Sequence, residues 1–150
     1  MNLLEKLYQE AEDNEIEVYN YNFKNLKKSM CFKDENIKAI AINIEAADTQ
    51  SKKVVALAEE LAHFETDSFY YITNDYNSTL HRDNRLKQET KAIHQAIKKI
   101  IPYEKIQQTL KKGHLKNYEI AEECGVTTDF LNKAFEFYKT KGIVFEYTDC

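Results

Sequence analysis

The sequence predicts an α+β fold: a small β-sheet packed on a pair of helices, followed by a helical segment with helix-turn-helix-like spacing. Three observations carry this. Strand-like runs fall between residues 16 and 45, and helical periodicity fills most of the chain beyond them. Glycine and proline are scarce, three and one respectively, so turns are few and helix dominates. The balance of 43% hydrophobic and 31% charged residues is that of a globular chain, and 150 residues suffice for one domain with its core, or for one domain with a small appendage.

The elements run in order along the chain. Leu3, Leu4, Leu7, Tyr8 and Ala11 recur at helical spacing, which predicts a short amphipathic helix over residues 2–13. IEVYNY reads as a strand. SMCF, the turn-like KDEN and IKAIAINIE predict a hairpin. In its second strand Ile40, Ile42 and Ile44 point one way and Ile37, Ala39 and Ala41 the other, so both faces are expected to be covered. ADTQSKKVVALAEELAHFE begins with the cap candidates Asp48 and Thr49 and continues as a helix. Residues 66–84 are aromatic, polar and aperiodic, which predicts a loop with room for one helical turn. RLKQETKAIHQAIKKII is a helix stopped by Pro102. Three short helices come next, at about 103–112, 117–124 and 128–141, with Gly113 and Gly125 as helix-ending glycines. The tail IVFEY reads as a short strand. There is no internal repeat. The expected boundary lies near Pro102, between an α+β core (residues 1–102) and a helical appendage packed on it (103–150).

Several function classes are disfavoured. A net charge of −4 with mixed signs argues against a nucleic-acid-coating protein. Cys31, Cys124 and Cys150 are odd in number and widely spaced, so reduced thiols in a cytoplasm are the simplest reading. MNLLEKLYQEAEDNE lacks the basic flank and apolar run of a signal peptide. No apolar run approaches the ~20 residues that span a bilayer.

ALAEELAHFE carries the chemistry. It differs by one residue from the zinc-peptidase signature H-E-x-x-H, with Glu59 at the first histidine position. On a helix Glu59 and His63 stand one turn apart on one face, with Glu60 beside them. A carboxylate binds zinc at about 2.0–2.2 Å, so Glu59 is chemically able to replace a histidine. The added charge makes such a site harder and more tolerant of manganese. The bland alternative is a solvated acidic face, since Val54, Val55, Leu57, Ala58, Leu61 and Ala62 lie largely opposite. The next helix weighs against it. Leu86, Ala92, Ile93, Ala96, Ile97 and Ile100 place Glu89 in the middle of the buried stripe. A carboxylate there costs several kcal/mol unless it is paired, hydrogen-bonded or bound to a metal. Pairing with a lysine, arginine or protonated histidine, or partial exposure at the start of the stripe, would serve it equally.

An E-E-x-x-H helix followed 26 residues later by a second-helix glutamate resembles the ImmA/IrrE family of metallopeptidases. The order of strand, hairpin and ALAEELAH helix is similar to that family's core, and NRLKQETKAIHQAIKKIIPYEKI resembles its second-helix segment; the likeness spans roughly residues 15–145. It implies a zincin-like helix pair with Glu59, His63 and Glu89 as metal ligands and Glu60 as catalytic acid/base. It implies one divalent metal, zinc first, with manganese or iron as alternatives. A metal-bound water would attack the peptide carbonyl while Glu60 takes its proton and passes it to the leaving amine. The implied substrate is a helix-turn-helix repressor of a phage or mobile element. Ala62 stands where the family commonly has glycine. A catalytically inactive repressor-binding or DNA-associated regulatory module on the same fold is the rival.

NYEIAEECGVTTDFLNKAFEFY has helix-turn-helix spacing, with Ala121, Gly125, Val126 and Leu131 at its small core and turn. A DNA reader needs basic or amide side chains on the exposed face. Thr127, Thr128, Asp129, Asn132, Lys133 and Glu136 offer few, which favours packing or partner docking over DNA binding. His81 is expected in a surface loop, and His94 and His114 in solvent. Tyr70, Tyr71 and Tyr76 cover the core or line a substrate groove.

Overall fold

The computed structural model describes residues 1–22, 24, 29–69, 79–113 and 116–146, and of residues 79–81 the backbone alone. The order is α1 (Leu3–Asp13), β1 (Glu17–Tyr21), β2 (Met30–Lys33), β3 (Lys38–Asn43), α2 (Gln50–Thr66), α3 (Thr79–Ile100), α4 (Tyr103–Lys111), α5 (Asn117–Cys124) and α6 (Thr128–Thr140). This is the α+β architecture that the sequence predicts, with its helical C-terminal part.

Local chemistry explains the boundaries. Asn2 opens α1 with a capping box: its side chain accepts from Glu5 N–H and the Glu5 carboxylate accepts from Asn2 N–H. Of the two cap candidates for α2, Thr49 is the cap, its Oγ1 accepting from Lys52 N–H at 3.2 Å. Gly125 ends α5 in the left-handed region at φ +76°, where glycine alone is free of Cβ strain.

The sheet has the order β1-β3-β2, with β1 parallel and β2 antiparallel to β3. The two-faced apolar pattern of the third strand is thus that of a central strand. Ala39 to Asn43 are all buried, while Ile37 and Ile44, just beyond its ends, are exposed. Register puts Val18, Ile40 and Cys31 side by side across the three strands. Helix α2 packs on this sheet and along α3. Ala58 and Ala62 of α2 and Ala92 and Ala96 of α3 are fully buried, and such short side chains let two helices approach closely. Ile101, Ile106, Leu110, Ile120, Val126, Phe130 and Leu131 continue the same core into the C-terminal helices. Tyr138 ties α6 to the end of α3 by donating its hydroxyl to the Ile101 carbonyl at 3.0 Å.

Three expectations change. Helix α3 begins at Thr79, inside the expected loop; Arg82, Asp83 and Asn84 are exposed and polar and so carry no apolar period. Leu86 is 63% exposed, so the buried stripe of α3 starts at Ala92 and Glu89 stands at its margin, not in its middle. Residues 143–146 form no strand. Instead the Gln107 side-chain amide brackets the Glu146 backbone, donating to its carbonyl and accepting from its N–H. Among the described residues no helix is long and apolar enough to cross a membrane.

Candidate metal centre

Helix α2 turns its apolar stripe to the core and its Glu59–Glu60–His63 face into a cavity of about 910 Å³. Residues 29–32 of and beside β2, Phe69, Glu89 of α3, and Thr127 to Asp129 at the start of α6 complete the wall. The face is therefore covered, not the solvated acidic face of the bland reading. His63 is only 4% exposed.

The chain's exit from α2 orients His63. Asp67 adopts the left-handed conformation at φ 49° and turns the backbone so that Ser68 comes back beneath the helix end. The Ser68 carbonyl lies 2.6 Å from His63 Nδ1. A carbonyl can only accept, so Nδ1 carries the hydrogen and Nε2 is the free position. Nε2 faces Glu89 Oε1 at 3.6 Å. Two acceptors so placed need a proton or a cation between them. An imidazole whose other nitrogen donates to a backbone carbonyl is the usual arrangement of a metal-binding histidine.

The charges are tuned by this setting. Burial pushes the Glu60 carboxyl up to about 7, helped by the charges of Glu89 and Glu59, while His63 and a hydrogen bond from Cys31 pull it partly back. Burial lowers the His63 imidazole, but Glu89, the Ser68 carbonyl and Glu60 outweigh it, so the net displacement is upward. An acid near neutrality beside a histidine is the condition general acid/base chemistry needs.

All four sequence-derived site residues, Glu59, Glu60, His63 and Glu89, line the one cavity. The His63–Glu89 pair is formed. As the side chains stand, no three His, Cys, Asp or Glu groups among the described residues are gathered closely enough to hold an ion. The donor chemistry, one imidazole and carboxylates, suits zinc, manganese or iron.

Other expectations resolve differently. His94 is only partly in solvent: its ring packs on Phe137 with centroids 4.4 Å apart, and burial, with the charges of Lys141 and Lys98, lowers its pKa. His81 lies in α3, its side chain outside the described residues, as do Tyr70, Tyr71, Tyr76 and His114 altogether. Two contributors escape a reading of the sequence. Ser68 acts through its backbone carbonyl, for which no residue type is a signal. Cys31 sits at the inward position of SMCF, and the strand alternation of that run is the available hint.

A helix presenting Glu-Glu-x-x-His, with a second helix returning a glutamate to the histidine, is the framework of a metal-dependent hydrolase. The chain belongs to the IrrE N-terminal-like domain family, peptidase family M78, whose model matches residues 11–136. That family is one of metallopeptidases of ImmA/IrrE type. No curated protein and no solved structure matches the chain.

Proposed function

We propose that this chain is a cytoplasmic, metal-dependent endopeptidase that cleaves a helix-turn-helix repressor of a phage or other mobile element. The observation that carries the reading is His63, fixed by Ser68 so that Nε2 confronts Glu89 at 3.6 Å, with Glu60 in the same cavity. His63, Glu89 and Glu59 would hold the ion, zinc first, with manganese or iron as alternatives. Bound there, the ion supplies a Lewis acid that activates water and polarises the scissile carbonyl. Glu60, with a pKa of about 7, accepts a proton as the nucleophile forms and returns it to the departing amine. Residues 29–32 and Phe69 wall one side of the cavity in which the peptide would lie. Thr127 to Asp129 also line it, so the start of α6 faces the site, which favours docking over base reading for this helix-turn-helix-like segment.

The carboxylate at the position where H-E-x-x-H has its first histidine, Glu59, favours one rival, a repressor-binding module without turnover. The test is metal content by elemental mass spectrometry on wild type and His63→Ala, followed by cleavage assays on helix-turn-helix repressors of mobile elements. The expected result is about one ion per chain, lost in the variant, with cleavage abolished by Glu60→Gln. No metal after incubation with zinc, manganese or iron removes the peptidase reading. Metal with stable repressor binding and no turnover gives the rival.

A further inference from the structure

We propose that the groove between α4 and α6 is a peptide-binding site: it takes an extended segment of a partner protein carrying one aromatic side chain, and residues 144–146 are its resident, displaceable occupant. The proposal does not rest on the peptidase reading.

Helical spacing makes the groove. Tyr103 and Gln107 stand one turn apart on α4, and Phe135 and Tyr138 three residues apart on α6. Three of these rings box Phe145. Tyr103 stacks on it with centroids 5.1 Å apart, while Phe135 and Tyr138 meet it edge-on at 5.5 and 5.8 Å. The polar contacts of the groove go to main-chain atoms. Gln107 Oε1 accepts from the Glu146 N–H at 2.9 Å, and Gln107 Nε2 donates to the Glu146 carbonyl. The Tyr103 hydroxyl, 3.2 Å from Gln107 Oε1, also reaches the Val144 carbonyl at 3.3 Å. A side-chain amide paired with both polar atoms of one residue imitates a strand neighbour, and such pairing reads an extended backbone whatever its side chains. Val144 is 79% exposed, so its side chain goes unread. The groove thus selects for an extended backbone and one ring.

Two features make the occupant exchangeable. Its link to α6 is unpacked: a Cβ on Gly142, at φ +73°, would meet nothing within 4 Å. Release therefore turns about an open glycine. The groove also demands an occupant of this kind. Gln107 is buried, and without Glu146 its amide loses a donor and an acceptor at once. An extended aromatic segment from another protein restores each of these bonds.

The test uses the full chain and a fluorescein-labelled peptide of residues 143–149. Fluorescence anisotropy should show saturable binding to Phe145→Ala, whose own segment no longer fills the box. Binding to wild type should be weaker by about tenfold or more, because the resident ring competes. The peptide carrying Phe145→Ala should stay free. Gln107→Leu added to the Phe145→Ala chain should weaken binding by about tenfold or more. A Phe145→Ala chain that is folded by circular dichroism and leaves the peptide free overturns the proposal. So does equal affinity in wild type and Phe145→Ala, or unchanged affinity on adding Gln107→Leu. Should Phe145→Ala fail to fold, wild type labelled with 4-fluorophenylalanine reads the displacement, with the Phe145 ¹⁹F resonance assigned by its loss in Phe145→Tyr. Excess unlabelled peptide should move that resonance to the position of a solvated ring. A resonance that stays in place up to the solubility limit of the peptide overturns the proposal.

Discussion

Replacing Glu60 by glutamine should stabilise the metal-free protein, and only above acid pH. The Glu60 carboxyl has a pKa of about 7 in the fold against 4.5 for the free side chain. A folded pKa above the unfolded one means the fold prefers the protonated acid. The cost of ionisation is absent below the unfolded pKa, grows as pH rises between the two values, and is complete above the folded one. With about 1.4 kcal/mol per pKa unit, the full cost approaches 3 kcal/mol near pH 8 and is below about 1 kcal/mol near pH 5. Glutamine keeps the shape and a carbonyl acceptor but never ionises. Urea unfolding of wild type and Glu60→Gln, both held in chelator, should show a gain of about 3 kcal/mol near pH 8 that shrinks to a fraction of that near pH 5. For a chain of this size that corresponds to a rise in Tm of roughly 6–12 °C. A difference that does not change between the two pH values would refute the claim that burial of this carboxyl is what tunes it.

Three further outcomes are expected. Lys99, 14% exposed in its side chain, lies between Glu10 at 2.8 Å and Glu65, so Lys99→Met should lower stability by about 1–3 kcal/mol in urea unfolding, between the values for exposed and buried pairs. Gly125→Ala meets only Leu3 Cδ2 at 3.9 Å, so no clash arises and the cost should be the left-handed backbone alone, about 1–2 kcal/mol by the same assay. Leu86→Ser should change stability by no more than about 0.5 kcal/mol, because the residue is 63% exposed; a loss of core size would return Leu86 to the buried stripe.

How far the sequence reaches depends on which residue is asked. The pattern of β3 announces a central strand because alternation of side chains is local, and Ala39 to Ile42 are buried on both faces. The ligand helix is legible for the same reason: Glu59, Glu60 and His63 share a face at fixed angular spacing. What lies over that face is not legible, since the covering groups come from β2, α3 and the start of α6, far apart along the chain. Leu86 shows the opposite limit. Its apolar character extends the stripe by periodicity, yet that turn of α3 lies beyond the packed surface. The early start of α3 is hidden because Arg82, Asp83 and Asn84 are exposed and polar and give no apolar period. Cys31 is missed because its spacing to other cysteines says nothing of the cavity that it lines.

His63 and Ser68 grip each other twice. The Ser68 N–H donates to the His63 carbonyl at 3.0 Å, while the His63 ring donates to the Ser68 carbonyl. The knot that ends the helix is thus also the bearing on which the imidazole turns. Fraying of one helical turn would free the ring, and the ring's capture of an ion would in return hold that turn closed. Amide exchange at Ser68 should therefore slow when the site is filled, so a single backbone hydrogen reports occupancy with no substrate present.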